Sequence, residues 1–322
     1  LSTSCNAYFC WGLYYMMGNR KRYHNVQDAM TKWRDYMVSM GFGYKLGIDL
    51  PGEKRGMIPN ANYYDRNYHG SWNGLTIISI SIGQGEVTLT PLQIANLGAT
   101  IANRGYYYVP HVVRKVKGES LDTLYTRRHQ TMASARAYDY VVAGMRSSAL
   151  KGTCRRLAQY DFEPCGKTGT AQNRGHDHSV FMGFAPMNNP KIAIAVYVEN
   201  GGWGADYGVP IGGLMMEQYL HGKLSPASEA QAAEMQKRRI GYGARFVEQK
   251  SAKEKAKEAK EKAAKEKAAR AKATEAAKKE QMAKEAAKAK VKGKNAKNAK
   301  NVKGNAAVAK PRKEPIRIES KQ

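Results

Sequence analysis

Apolar and polar positions recur at two different periods along this chain. Asn25 and Asp28 mark a helix start, and Val26, Ala29, Met30, Trp33, Met37 and Met40 then share one helical face until Gly41 stops the run. Ahead of them, an apolar run after Asn6 reads as another helix. Residues 42–74 are rich in Gly, Pro, Asn and Tyr without a period, which predicts a long loop of the kind that tends to carry function. Over 76–82, Ile78, Ile80 and Ile82 alternate with Ser79 and Ser81, the pattern of a strand with one apolar face, and Gly83-Gln84-Gly85 breaks it.

Thr90-Pro91-Leu92-Gln93 opens the next helix, with Thr as N-cap, Pro at the first helical position and Gln placed to complete a capping box. Ile94, Leu97 and Ile101 supply its buried face and Gly105 ends it. A further helix is expected over 133–150, with Ala137, Val141 and Met145 stacked. Beyond it the period shortens to two. Strands are expected over 166–172, 179–185 and 191–198, the last two joined at Asn188-Asn189-Pro190. In the last, Ile192, Ile194, Val196 and Val198 face one way and Ala193, Ala195 and Tyr197 the other. That pattern predicts a central strand covered on both sides by helices. A helix over 212–220 closes an α+β layout of helices and antiparallel sheet.

Charge changes the picture at the end of the chain. The 322 residues carry 53 Lys+Arg against 27 Asp+Glu, a net of +26. From Lys250 onward there are 25 basic and 9 acidic residues, a net of +16, with no aromatic residue and apolar content that is almost entirely alanine. Such a segment cannot build a core. The expected division is a folded part, 1–245, and a Lys/Ala/Glu-rich tail, 246–322, whose first part has the propensity for a solvated helix. The tail's charge would attract anionic polymers or lipid head groups in a salt-sensitive way, while a purely solubilising extension is the plainer reading. This uneven spread argues against a single-domain nucleic-acid binder with charge distributed throughout. No apolar run reaches membrane-spanning length and no signal peptide is visible. Cys5, Cys10, Cys154 and Cys165 show no zinc-type spacing and read as buried or partly buried thiols, a Cys154–Cys165 disulfide being the alternative in an oxidising compartment.

Candidate chemistry begins with Lys167-Thr168-Gly169-Thr170 at the head of a predicted strand. Lysine attracts a carboxylate, threonine hydroxyls hydrogen-bond it, and glycine lets an extended peptide approach the strand backbone. A surface lysine before a turn is the plain alternative. Ser4-Cys5-Asn6, just before a helix, taken alone is an N-cap arrangement. His176-Asp177-His178 lacks a third metal ligand and reads as a loop at the edge of a site. Gly83-Gln84-Gly85 lacks the remaining marks of a dinucleotide site.

Taken together, Ser-x-Asn followed far downstream by Lys-Thr-Gly resembles the second and third parts of the signature of penicillin-recognising serine enzymes. The resemblance continues in order through Ser81-Ile82-Gly83-Gln84-Gly85, Thr88 to Ala95, Asn103-Arg104-Gly105, Val109-Pro110, Phe184-Ala185-Pro186 and Val198 to Gly202. It is similar to class B penicillin-binding proteins of the elongation type over about 1–220. The resemblance implies a penicillin-binding/serine β-lactamase-like transpeptidase fold and a D,D-transpeptidase that cross-links peptidoglycan stem peptides through a serine acyl-enzyme. It implies β-lactams as inhibitors, no cofactor and no metal. Its partners would be the cell-wall elongation machinery, including a glycosyltransferase, with the catalytic domain on the periplasmic side of the inner membrane. Ser4 would pass a proton, and Asn6 would hold the substrate amide and the active-site lysine. Lys167, Thr168 and Thr170 would bind the terminal carboxylate along Gly169, and the Thr170 N–H would form half of the oxyanion hole.

The family's nucleophile lies in a Ser-x-x-Lys motif ahead of Ser-x-Asn, and only three residues precede Ser4. Ser148-x-x-Lys151 is in the wrong order. The expectation is therefore the C-terminal portion of a longer protein, inactive alone, with its anchor, pedestal and nucleophile encoded upstream. A β-lactam-binding sensor of the same fold is the competing function.

Overall fold

A computed structural model of the protein describes residues 1–241. The expected tail, 246–322, lies outside the described residues. The first helix, α1 (Asn6–Gly18), packs Leu13 and Met17 into a cluster with Ala29 and Met30 of α2 (Val26–Ser39) and Tyr64 of α3 (Ala61–Asn67). Asn25 caps α2 as expected, its side chain accepting from the Asp28 N–H at 2.7 Å. Helix α3 interrupts the stretch read as loop, started by an Asn60 cap that bonds the Tyr63 N–H at 2.8 Å.

The segment expected as a strand over 76–82 is instead a 3-10 helix, Ile78–Ile82. Ile77 and Ile80, three apart, are the buried pair and join the α1–α2–α3 cluster. In a 3-10 turn positions i and i+3 eclipse, so the same isoleucines satisfy that core without a strand partner.

The capping box at Thr90 is present and opens α4 (Pro91–Ala102). Gln93 does more than close the box. Its buried amide nitrogen lies 3.3, 3.1 and 3.0 Å from the carbonyls of Gly41, Tyr44 and Arg55. Glu53 accepts from the N–H groups of Leu46, Gly47 and Ile48. These two hubs satisfy the loop's backbone and explain why it is ordered. A two-residue ladder, β1 (Tyr106–Tyr107) with β2 (His129–Gln130), flanks the short α5 (Thr123–Thr126).

Helix α6 (Ala135–Lys151) buries Tyr138, Val142, Met145 and Ala149, one position off the expected Ala137–Val141 stripe. Ala137 is exposed, because the aromatic Tyr138 buries more apolar area than alanine can. Next come β3 (Cys165–Ala171), β4 (His178–Ala185) and β5 (Ile192–Val198), an antiparallel sheet in that order. The register pairs Lys167 with Met182, Thr168 with Phe181 and Phe181 with Val196. Thus β4 is the middle strand, and among the described residues β5 is at an edge, contrary to expectation. Its two-faced apolar pattern is still explained: Ile194 and Val196 pack with Val209 and Met216 of α7 (Gly208–His221), and Ala193 packs toward Ile101 of α4. Burial of both faces specifies the covering helices, not the in-plane neighbours. A final helix, α8 (Pro226–Lys237), follows a Ser225 cap.

Phe181 is the centre of this layer and is fully buried. A Cβ placed on Gly166, Gly183, Gly208 or Gly212 would fall within 2.9 Å of its side chain. The side chain therefore occupies the space that four glycines from two strands and a helix leave open. Burial of such a side chain contributes about 1.5–3 kcal/mol.

Candidate active site

The edge of β3, unpaired by any strand among the described residues, faces the first residues of the chain across a cavity of about 500 Å³. One wall carries Ser4, Asn6 and Phe9; the other carries Lys167, Thr168, Gly169 and Thr170; Ser81, Gln84, Thr153 and Trp203 are also part of the lining. All six residues singled out from the sequence thus meet in one groove.

Ser4 reaches it from a tight turn closed by its own N–H on the Leu1 carbonyl at 3.2 Å, with φ of 52°. Neither Ser4 nor Asn6 caps α1. Cys5 occupies the N-cap position without a side-chain bond, so both polar residues are left for the groove. The Lys167 ammonium donates to Ser4 Oγ at 2.6 Å and to the Thr168 carbonyl at 2.7 Å. Burial lowers the pKa of Lys167, opposed by the nearby Cys154. Three donors serve two acceptors, leaving one N–H for an incoming oxygen. Asn6 is exposed on the same wall.

Strand alternation puts Thr168 and Thr170 on the face that carries Phe181, away from Lys167. The loop after β5 closes over that face. Gly204 donates its N–H to Thr170 Oγ1 at 3.3 Å, which leaves the Thr170 hydroxyl proton free to be given away. A Cβ at Gly204 would meet the carbonyl oxygens of Gly169 and Val180 at 2.5 and 2.6 Å. Gln84 reaches the Thr170 carbonyl at 3.4 Å, so the Gly83-Gln84-Gly85 turn lies beside the cleft. Gly83 and Gly85 take φ of 73° and 68°, the left-handed region that favours glycine.

His178 Nδ1 accepts from the Asn200 N–H at 3.0 Å and its ring packs on Tyr197. Asp177 uses its carbonyl to hold Gly202 at 2.8 Å. The His-Asp-His segment therefore anchors the loop that bears Trp203. All four cysteines are free: Cys154 and Cys165 are buried, whereas Cys5 is exposed, unlike the buried or half-buried thiol expected there.

Sequence reasoning missed Thr153, Trp203 and Gly204. Glycines on both sides of Trp203, and Gly152 before Thr153, were the available signals. A Cβ at Gly152 would lie 2.2 Å from the Ser2 carbonyl oxygen, so only glycine lets that turn approach the first residues.

Residues 1–217 match the family described as penicillin binding protein transpeptidase domain. The peptidoglycan D,D-transpeptidase MrdA of Acinetobacter baumannii is 36% identical over 218 residues, covering 62% of this chain and 30% of the relative. The MrdA of Escherichia coli K12 is 28% identical over 215 residues, covering 60% and 33%. The chain thus spans about a third of the length of these relatives. Among solved structures, Pseudomonas aeruginosa PBP2 in complex with WCK 5153 superposes with a TM-score of 0.59 at 30% identity, covering 69% of this chain and 47% of that one. A structure described as structural coordination of polymerization and crosslinking by a peptidoglycan synthase complex gives a TM-score of 0.57 at 26% identity, covering 70% and 37%. With this match over residues 1–217 and an α+β architecture that agrees with it, the chain belongs to the penicillin-binding protein transpeptidase family.

Proposed function

We propose that this chain supplies the substrate-binding side of a peptidoglycan D,D-transpeptidase working in cell-wall elongation. The observation that carries the reading is the 2.6 Å bond from Lys167 Nζ to Ser4 Oγ, which joins two motifs 163 residues apart across a groove whose strand edge has no pairing strand among the described residues. An extended stem peptide lies along β3 beside Gly169, where no side chain intervenes. Lys167 and the Thr170 hydroxyl bind its terminal carboxylate, with Thr168 beside them. Charge-assisted bonds of this kind are the strong ones. Asn6 bonds the peptide amide, and the Thr170 N–H contributes half of an oxyanion hole. Ser4, held by the ammonium, passes a proton between the leaving group and the base of the acylated serine. β-Lactams enter the same groove as carboxylate-bearing acyl donors.

We assign the attacking serine and its lysine to none of these 322 residues and expect no acylation of this chain by itself. The names of the relatives favour the enzyme over a sensor of the same fold. Peptidoglycan, the polymer in those names, is a wall material, which supports action outside the cytoplasmic membrane, and the similar structure described as coordinating polymerization and crosslinking supports work beside a glycan polymerase. No described helix is long and apolar enough to cross a membrane. For the segment from Lys250 onward, the +16 charge supports salt-sensitive attraction to anionic polymers or lipid head groups. Chains ending at Lys250 and at Gln322 should then be retained differently from lysate in low salt and alike in high salt; identical retention in both removes the idea.

The test of the enzyme is covalent labelling by a fluorescent penicillin. The 322-residue chain should stay unlabelled. A chimera that places the nucleophile-bearing segment of the Acinetobacter relative ahead of Leu1 should label one to one, and Lys167→Ala in it should slow acylation by about 10- to 150-fold. A folded chimera that fails to label, or a Lys167→Ala form that labels at the parent rate, contradicts the assignment.

A further inference from the structure

The turn between α6 and β3 touches both walls of the groove through one residue. Thr153 donates its backbone N–H to the Ser2 carbonyl at 3.1 Å, and its hydroxyl accepts from Thr168 Oγ1 at 2.8 Å. Behind it, Ser148 Oγ lies 3.3 Å from the same Thr153 oxygen, where either can donate. Ser148 is fully buried on α6. Three hydroxyls therefore form a row that begins in the core and ends at the strand edge.

The direction of this row matters. As it stands, Thr168 spends its only proton on Thr153, and it has none for a carboxylate. Each hydroxyl has one donor and two acceptor positions, so the row can run either way. We propose that Ser148 and Thr153 are positioning residues for carboxylate recognition: an arriving carboxylate turns the row round, so that Ser148 donates to Thr153, Thr153 to Thr168 and Thr168 to the ligand.

No covalent bond breaks; three O–H bonds rotate. Hydrogen bonds in such a chain polarise one another, which strengthens the last bond beyond that of an isolated threonine. The Cys154 sulfur is hydrogen-bonded to Ser148 and Thr153, and burial raises its pKa, which favours the neutral thiol, a weaker acceptor for these protons than a thiolate. Thr170, oriented separately by Gly204, already has its proton free. The relay thus adds a second hydroxyl donor to the carboxylate site.

This inference rests on the carboxylate-binding role proposed above, and the experiment separates the two. N-acetyl-D-Ala-D-Ala and its C-terminal amide are titrated into the 322-residue chain and its variants. The parent should prefer the acid. Thr153→Val, which keeps the shape and removes the hydroxyl, should lower affinity for the acid about five- to tenfold and leave the amide unchanged, while Thr153→Ser restores it. Ser148→Ala should weaken the acid about two- to fivefold, and it replaces the valine variant if that one fails to fold. A parent that binds acid and amide alike overturns the carboxylate site and the relay together. A parent that prefers the acid, with Thr153→Val keeping that preference in full, overturns the relay alone. So does a valine variant that weakens acid and amide by one factor, or a serine variant as weak as valine.

Discussion

Replacing Gly204 by alanine tests how the loop after β5 is fitted to the strand it covers. The added Cβ would stand 2.5 Å from the Gly169 carbonyl oxygen, 2.6 Å from that of Val180 and 3.0 Å from Thr168 Cβ. Carbon and carbonyl oxygen rest no closer than about 3.3 Å even in weak C–H···O contacts. The loop must therefore retreat by about 0.8 Å, since both oxygens belong to the sheet backbone and cannot yield. That displacement stretches the 3.3 Å bond from Gly204 N to Thr170 Oγ1 beyond hydrogen-bond range. Overpacking of this kind costs about 1–3 kcal/mol, which lowers the Tm of a domain of this size by roughly 2–12 °C. Freed from Gly204, the Thr170 hydroxyl loses its preferred orientation, and affinity for an acyl-D-Ala-D-Ala acid should fall about fivefold. Thermal unfolding followed by circular dichroism, with titration of the acid, reads both quantities. An alanine variant with the parent's Tm and the parent's affinity refutes the packing and the role given to the loop.

Other consequences are independent of that loop. Phe181→Ala should lower stability by about 3–5 kcal/mol, because the surrounding glycines have no side chains to fill the space; a loss below 1 kcal/mol by urea denaturation would contradict its place in the core. Thr90→Ala removes one half of the capping box and should cost about 0.5–2 kcal/mol in the same assay. Iodoacetamide should modify the exposed Cys5 first. Cys165, its thiol pushed up to about 12 by burial, should react only after unfolding, and rapid native modification of it would place it elsewhere. The pKa of Lys167 is depressed below its usual 10.5 by burial. Its charge is thus present below that lowered value and lost as pH rises through it, so carboxylate affinity should decline before pH 10.5. The sign for folding is opposite: the unfolded state binds more protons across that window, and this residue's contribution to stability improves as pH rises. Affinity that stays constant up to pH 10.5 would show that the ammonium is not the carboxylate's partner.

The parts of this molecule legible in its sequence are those where local chemistry and tertiary packing ask for the same thing. Asn25 and Thr90 announce helices by hydroxyl or amide caps whose partners lie three residues away. The apolar rows of β5 announce two covered faces. The two motifs of the groove were readable only together, through their resemblance to a known signature: alone, Ser4-Cys5-Asn6 reads as an N-cap and Lys167 as a surface lysine before a turn. What misled was periodicity without its context. Ile78, Ile80 and Ile82 alternate like a strand, yet Ile77 and Ile80 form the buried pair, and nothing local separates the two periods. Tyr138 displaced the alanine stripe of α6 because burial follows area. Thr153, Gly204 and Phe181 were invisible for another reason: each acts through a neighbour remote in sequence, such as Thr168, Thr170 or Gly212, and a one-dimensional pattern has no place for such pairs.

The most direct test of the central claim is an amide chemical-shift map of the ¹⁵N-labelled chain during titration with N-acetyl-D-Ala-D-Ala. Perturbations should concentrate at Ser4, Asn6 and residues 167–170, and vanish when Lys167 is replaced by Met. Saturable shifts confined to any other face, or a map that the Lys167→Met variant reproduces, would contradict it.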